Sequence, residues 1–227
     1  MTAPVPSQQA RQRDSFLGGE GDQWFARNDG AEIAAHTKHA LDTILTFVRP
    51  GNRVLEIGCA DGRNLAYLAR SCSGLTCEGL EPSGAAVEAA RARHPGIRVQ
   101  AGTADRLPYE CGSFEVLCFG FCLYLVDREL LMQSMAEADR VLRDRGYLAI
   151  IDFDPVGPRR RRYRHLDGLY SYKMDYSRIL LASSHYHLAA KTSYSHAESS
   201  YSTDPGDRVA TTVLYKDIAA GYLPEDD

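Results

Sequence analysis

Between residues 53 and 153, short apolar runs alternate with longer amphipathic ones, and this beat constrains the fold more than any other feature of the chain. Arg53 to Ile57 predicts a first strand, followed by a helix from Arg63 to about Arg70 with Leu65 and Leu68 facing inward. LTCEGLE, about Leu75 to Glu81, predicts strand two. Ser83 is placed to cap the next helix, AAVEAARAR, which Pro95-Gly96 stops. Strand three is IRVQ. Strand four, FEVLCFGF, is a continuous apolar run of the kind buried on both faces. RELLMQSMAEADRVLRD reads as a helix burying Leu130, Leu131, Met135, Ala138, Val141 and Leu142; Gly146 ends it, and YLAIIDF predicts strand five. Ahead of all this, residues 31 to 48, AEIAAHTKHALDTILTFV, predict a helix closed by Pro50-Gly51. Strands and helices in strict alternation with short loops give an α/β fold, doubly wound, with right-handed crossovers.

The end of the chain breaks the beat. After Asp154-Pro155 comes a polar, basic stretch, VGPRRRRYRHLDGLYSYKMDYS, then a short helix from about Tyr176 to Ser183. Two strand-like runs follow, YHLAAKTSYSH and DRVATTVLYKD, separated by the turn residues Asp204-Pro205-Gly206. They predict an antiparallel hairpin at the far edge of the sheet. The expectation is therefore a mostly parallel seven-stranded sheet flanked by helices, ending in an antiparallel hairpin.

Composition narrows the function classes. A net charge of −4 gives no general reason to expect nucleic acid or an anionic membrane as partner. No apolar run approaches the length of a membrane span, and MTAPVPSQQARQRDSF has no apolar core of a signal peptide, so a cytoplasmic protein is expected. The six cysteines form no C-x-x-C pair, and neither a structural disulfide nor a metal site is expected.

The first strand feeds the loop Gly58-Cys59-Ala60-Asp61-Gly62. In an open α/β sheet such a loop lies beyond the carboxyl ends of the strands, where ligands bind. Gly58 and Gly62 let backbone approach a ligand closely. A dinucleotide loop would read G-x-G-x-x-G, with a pyrophosphate received at the helix start; this loop has no third glycine at that spacing. Glu81, at the end of strand two, is a carboxylate suited to the two hydroxyls of a ribose. The loop therefore reads as one for a nucleoside without a diphosphate.

With VLEIGCADG, the acid in GLEPS, AGTADRLPYECGSFEVL and LYLVDRELLMQSMAEADRVLRDRGYLAIIDF in view, the chain resembles the class I, Rossmann-like S-adenosylmethionine-dependent methyltransferases over roughly residues 31 to 217. The resemblance implies S-adenosylmethionine as cofactor, with S-adenosylhomocysteine as product. It implies that Glu56, Gly58 and Cys59 lie along the methionine half of the cofactor and that Glu81 binds the ribose hydroxyls. Pro82 would border the adenine, Ala104 and Asp105 would meet its edge, and Phe119 would sit beside the methionine portion. One departure is Ala60, where the family's pattern has a middle glycine; its methyl fits if φ at that position is negative. In related methyltransferases the segment before the first core helix closes over the cofactor. Here that segment carries the only tryptophan, Trp24, whose ring is suited to shield and attract a sulfonium.

The resemblance also divides the single expected domain: a lid-like segment over 1–30, a cofactor-binding core over 31–153, an acceptor-recognition segment over 154–184 and the hairpin over 185–217. Candidate bases are Tyr124, Asp152, Asp154 and His165, of which His165 titrates in the right range by residue type. Arg164, Tyr170, Tyr172, Lys173 and Tyr176 are the candidate acceptor contacts, with Arg159 to Arg162 read as a solvated loop. The expected reaction is methyl transfer to O or N of a small polar acceptor such as a sugar, an amino compound or a natural-product intermediate. Three other readings stand beside it: an RNA methyltransferase using the basic, Tyr-rich segment, a non-catalytic module that only binds S-adenosylmethionine, and an NAD-dependent oxidoreductase, which the loop spacing disfavours. Oligomeric state is not legible.

Overall fold

The computed structural model describes residues 12–30, 33, 35–198 and 200–222. The rest of the predicted lid (1–11) and parts of the first predicted helix (31, 32 and 34) lie outside the described residues.

Nine strands and seven helices are named along the chain. The helices are α1 (Gln12–Ser15), α2 (Gly21–Asn28), α3 (Ala35–Leu45), α4 (Arg63–Ser71), α5 (Gly84–Arg93), α6 (Leu131–Val141) and α7 (Ser177–Leu181). The strands are β1 (Arg53–Ile57), β2 (Thr76–Glu81), β3 (Arg98–Ala101), β4 (Phe114–Gly120), β5 (Leu142–Phe153), β6 (Arg159–Arg162), β7 (Tyr170–Lys173), β8 (Tyr186–Ser195) and β9 (Arg208–Lys216). A π-turn, Phe16–Glu20, joins α1 to α2, and a 3-10 turn, Leu123–Leu125, follows β4.

Seven strands form one sheet in the order β3-β2-β1-β4-β5-β9-β8. The first five are parallel, and β9 enters antiparallel between β5 and β8. The expected seven-stranded sheet with a terminal hairpin is thus the observed one, and it is the hairpin's second strand that joins the parallel set. Chain direction across the sheet reverses between β1 and β4, which fixes the topological switch point at their carboxyl ends.

Strand alternation sorts the core into two layers. Val54, Val116, Cys118, Ala149 and Ile151 face Leu41, Ile44, Leu65 and Val87 on one side of the sheet. Leu55, Leu117, Phe119, Leu148 and Ile150 face Met135, Ala138 and Val141 of α6 on the other. The Ser83 hydroxyl accepts from Ala86 N–H at 3.0 Å and caps α5 as expected.

Two features depart from the sequence reading. The α6 helix ends at Val141, and β5 begins at Leu142, which pairs with Phe114 before the register shifts. Arg145 at φ 61 carries the irregularity, so the helical periodicity of VLRD is overridden by strand pairing. The second departure is a separate two-stranded sheet. The Arg159–Arg162 run is not a loop but strand β6, paired antiparallel with β7, with every arginine exposed. Tyr170 and Tyr172 share one face of this hairpin with their partners Arg162 and Arg160, an alternation that the run of arginines conceals.

Candidate functional site

The switch point opens into a cleft whose floor is the loop after β1. Gly58 has φ 74, and a Cβ there would stand 2.6 Å from Cys122 Cβ and 2.9 Å from Cys122 Sγ, so both conformation and space require glycine. The Cys122 thiol in turn donates to the Ile57 carbonyl at 3.3 Å, tying the β4 loop to the β1 loop. Ala60 has φ 47, so the negative φ under which its methyl would fit freely is not met. The loop needs a left-handed residue there, and the Ala60 N–H donates to Glu81 Oε2 at 2.9 Å in compensation.

Glu81 ends β2 with its carboxylate on the cleft wall. Its other oxygen accepts from Ser83 N–H at 3.0 Å. Burial pushes the carboxyl above its usual range, and the N–H groups of Ser83 and Ala60 oppose the rise. Each oxygen holds one backbone donor and keeps a lone pair for another.

Glu56 is buried beneath the loop. Asn64 donates to its Oε1 at 2.8 Å, while its Oε2 has no partner among the described residues. Burial, opposed by Asn64 and reinforced by Glu81 and Asp61, pushes this carboxyl up to about 7. An unpartnered buried carboxyl oxygen suits a cationic group brought to the loop.

The predicted cofactor residues divide by position. Trp24, Gly58, Glu81, Pro82, Ala104 and Asp105 all line the cleft. Glu56 and Cys59 lie under the floor, both 2% exposed, so Cys59 offers its backbone rather than its thiol. Phe119 is fully buried in the α6 layer, and Phe121, two residues on, lines the cleft instead. The expectation for Phe119 is corrected by strand phase, since Phe119 shares with Leu117 the face toward α6, whereas Phe121 lies past the end of β4 at φ 58 and turns to the opposite layer.

The N-terminal segment forms the roof. Arg13, Phe16, Gly21 and Trp24 line the cleft from above. Asp127 accepts from the backbone N–H of Gln12 and of Arg13, each at 2.9 Å, and the Arg13 guanidinium pairs with Asp105 at 3.0 Å. Asp22 accepts from the Ser83 hydroxyl at 2.6 Å and from Ala85 N–H at 3.1 Å. Gln12 Oε1 accepts from Tyr170 N–H at 2.7 Å, and Glu20 accepts from the Tyr163 hydroxyl at 2.8 Å. The roof is therefore stitched to the β2 loop, the β4 loop and the β6–β7 hairpin at once.

Beyond Phe121 lies an aromatic floor. Its ring meets Tyr124 at 5.4 Å, Phe153 at 4.9 Å and His196 at 5.5 Å between centroids, and His196 stacks on Phe153 at 17°. The Trp24 side chain hydrogen-bonds Tyr124, whose hydroxyl is pushed well above its usual value, first by burial and then by Asp152. Asp152 itself is buried, accepting from Phe153 N–H at 2.7 Å and Tyr124 N–H at 3.2 Å, and burial pushes it up to about 7.

The other predicted catalytic and acceptor residues scatter. His165 and Arg164 are exposed in the β6–β7 turn, with His165 against the Tyr163 ring at 5.3 Å. The Asp154 carboxylate is fully engaged by Lys191 at 3.0 Å, Ser193 at 2.7 Å and Arg208 at 3.3 Å. Burial raises that carboxyl, but these three partners outweigh it and hold it below its usual range, so it serves as an ion-pair anchor. Tyr176 is 1% exposed, and its hydroxyl donates to the Tyr172 carbonyl. Tyr172 lies under Arg128 and Tyr170 under Arg160, 4.5 and 4.6 Å from the guanidinium carbons. Lys173 points the other way, onto Phe153. Sequence reasoning missed Arg13, Phe16, Phe121, Phe153 and His196. For Phe121 and Phe153 the signal was present as strand-end aromatics. Nothing local marks His196, which reaches the site only because β8 folds back beside β9.

This strand order, with a glycine-rich loop at the switch point and an acid ending β2, defines the fold of the class I methyltransferases. The family described as the methyltransferase domain matches residues 54–146. That match supports a class I S-adenosylmethionine-dependent methyltransferase. It is 34% identical over 107 residues to phthiotriol/phenolphthiotriol dimycocerosates methyltransferase 1 of Mycobacterium ulcerans, a stretch covering 46% of this chain and 39% of that relative. The chain thus aligns with well under two thirds of that relative's length. Among solved structures it is similar to the Burkholderia thailandensis 1,6-didemethyltoxoflavin-N1-methyltransferase with bound 1,6-didemethyltoxoflavin and S-adenosylhomocysteine: TM-score 0.68, 18% identity, 96% of this chain and 93% of the other. It is also similar to the [4+2]-cyclase SpnF, with TM-score 0.69, 14% identity and coverage of 92% and 97%. The family's cofactor is S-adenosylmethionine. The open lone pairs of Glu81 and the unpartnered Oε2 of Glu56 fit its ribose and its ammonium.

Proposed function

We propose that this chain transfers the methyl group of S-adenosylmethionine to an oxygen or nitrogen of a small polar acceptor. The observation that carries the reading is the continuity of the site: the cleft runs from Glu81 to Phe121, and the Phe121 ring packs in turn against Tyr124 and Phe153. The mycobacterial relative and the toxoflavin enzyme are both named for small-molecule methylation, which supports a small molecule as acceptor.

When bound, the cofactor supplies a methyl group activated by the positive sulfonium. The chain's own residues bind, align and dry the site. Glu81 receives the ribose hydroxyls, Asp105 the adenine amine through the oxygen that Arg13 does not hold, and Glu56 the cationic end of the methionine part. Trp24 and Phe121 exclude water on either side of the reacting centre. The site would hold the acceptor's nucleophilic atom in line with that methyl group, and the acceptor's proton would pass to a base or to water. Tyr124 stays protonated near neutral pH and acts as a hydrogen-bond donor rather than a base.

Residues 12–30 act as the roof of this site, 154–184 as acceptor recognition and 185–217 as its far wall. No helix among the described residues is long and apolar enough to cross a membrane, and no metal-binding cluster occurs among them. The first test is calorimetric titration with S-adenosylmethionine, S-adenosylhomocysteine and NAD, alongside Glu81→Ala. Micromolar binding of both adenosyl ligands, lost in the variant and absent for NAD, is the expected result. Absence of adenosyl binding overturns the reading. A radiolabelled-methyl assay on an acceptor panel then separates an enzyme from a module that only binds the cofactor. SpnF, named a cyclase on the same fold, shows why that second step is needed.

A further inference from the structure

The chain has four lysines, and three of them are paired. Lys38 meets Asp42 at 2.9 Å, Lys191 bridges Asp154 and Asp175, and Lys216 meets Asp139 at 2.9 Å while donating to two carbonyls. The exception is Lys173, at the end of β7. Its ammonium sits 3.5 Å from the centroid of the Phe153 ring, and none of the hydrogen bonds or ion pairs among the described residues engages it. It is partly buried, and burial, reinforced by Arg161, lowers its pKa from the usual lysine value. A half-buried cation resting on a ring with no counter-charge in contact is costly unless something else meets it.

Its surroundings describe what that something is. Asp152 lies close enough to be felt electrostatically, but its oxygens accept from the Phe153 and Tyr124 N–H groups and neither is within ion-pair distance of the ammonium among the described residues. On the other side Arg159, Arg161 and Arg164 add positive charge, with no carboxylate in contact among the described residues. The local field therefore draws anions. Below Lys173, the rings of Phe153, Phe121, Tyr124 and His196 form a floor that ends at the cofactor cleft, through Phe121. Stacked and edge-on rings of this kind hold a flat body, and the ammonium at its far end holds an anionic group.

We propose that the acceptor is a flat, ring-containing carboxylate, and that Lys173 binds its carboxylate while the aromatic floor carries its ring toward the cleft. The proposal rests on the methyl-transfer reading given above and adds the chemical class of the acceptor to it. Lys173 is a specificity residue for this site rather than part of the cofactor machinery.

The test uses matched probes that differ only in charge. The full chain is saturated with S-adenosylhomocysteine and titrated with 4-hydroxybenzoate and 4-hydroxybenzamide, then with indole-3-acetate and indole-3-acetamide. The expected result is that in at least one pair the carboxylate binds about tenfold or more tighter than the amide. Lys173→Met should erase that preference without changing S-adenosylhomocysteine affinity, and Lys173→Arg should retain part of it. Equal binding of acid and amide, no binding of either carboxylate, or a preference that survives in Lys173→Met each overturns the proposal. Failure of S-adenosylhomocysteine itself to bind is a different outcome: it removes the methyltransferase reading, and this assignment with it.

Discussion

Glu81 holds Ala60 in a left-handed conformation: one carboxylate oxygen accepts from the Ala60 N–H at 2.9 Å while Ala60 sits at φ 47. The loop keeps the backbone shape of a glycine-rich turn with an alanine in it, and the strain is met by a hydrogen bond from the residue that is also the candidate ribose ligand.

That relationship predicts the effect of Ala60→Gly. The left-handed alanine costs roughly 1–2 kcal/mol, and glycine's added freedom in the unfolded chain takes back about 0.5–1 kcal/mol. The variant should therefore be more stable by about 0.5 kcal/mol, read as a higher denaturation midpoint at unchanged slope. Affinity for S-adenosylhomocysteine should be equal or tighter. A loss of stability would show that the alanine methyl makes a contact that outweighs its strain.

Gly58, which lines the cleft, and Gly84, which opens α5, form a contrasting pair. Gly58→Ala forces a Cβ against Cys122 at positive φ and should lower stability by about 2–3 kcal/mol and abolish cofactor binding. Gly84 opens α5, and a Cβ added there would meet nothing within 4 Å, so Gly84→Ala should be neutral or stabilising by up to about 1 kcal/mol. Thermal unfolding of the two variants side by side checks the contrast.

Two buried carboxyls give the protein a characteristic pH dependence. Glu56 and Asp152 are each pushed up to about 7 by burial, from ordinary values of 4.5 and 3.8. The folded state therefore binds more protons than the unfolded chain between those limits, and stability from these groups is full below about 4 and falls as pH rises toward 7. Asp61 and Asp154, held low by their arginine and lysine partners against the effect of burial, act in the opposite sense and lose their contribution on acidification below the usual carboxylate range. Denaturant unfolding from about pH 5 to about pH 7.5 should show a declining limb that Asp152→Asn and Glu56→Gln each flatten; an unchanged slope in both variants would contradict these assignments.

Trp24 is the only tryptophan and lines the roof, so the protein carries one intrinsic reporter at its site. Titration with S-adenosylhomocysteine should change its fluorescence in a single saturable phase. Trp24→Phe should lose the signal while keeping most of the calorimetric affinity, because a ring remains to cover the cleft. A titration that leaves the emission unmoved would place the cofactor away from the roof.

How far the sequence led can be judged residue by residue. β1 was legible to the residue and the central strand order by class, because each parallel strand is an apolar run bounded by turn chemistry. Glu81, Pro82, Ala104 and Asp105 all line the cleft; Glu81 was singled out by its place at the end of strand two, whereas the other three came only with the family resemblance. Phe119 was misplaced because an all-apolar strand carries no alternation from which to read its phase, and Phe121 took the wall position. The β6–β7 hairpin was missed because four consecutive arginines carry no period-2 hydrophobic signal. His196 was beyond local reading altogether: its place depends on the pairing of β8 with β9, a long-range contact.

The roof has a consequence for the order of events. Gln12, Arg13, Glu20 and Asp22 fasten one short segment to the loops after β2 and β4 and to the β6–β7 hairpin. Two compartments that share one cover share one exit, so a departing product and spent cofactor wait on the same opening. On the methyl-transfer reading, unfastening of residues 12–28 is expected to pace turnover, so solvent viscosity should slow it more than any change in the acceptor's nucleophilicity.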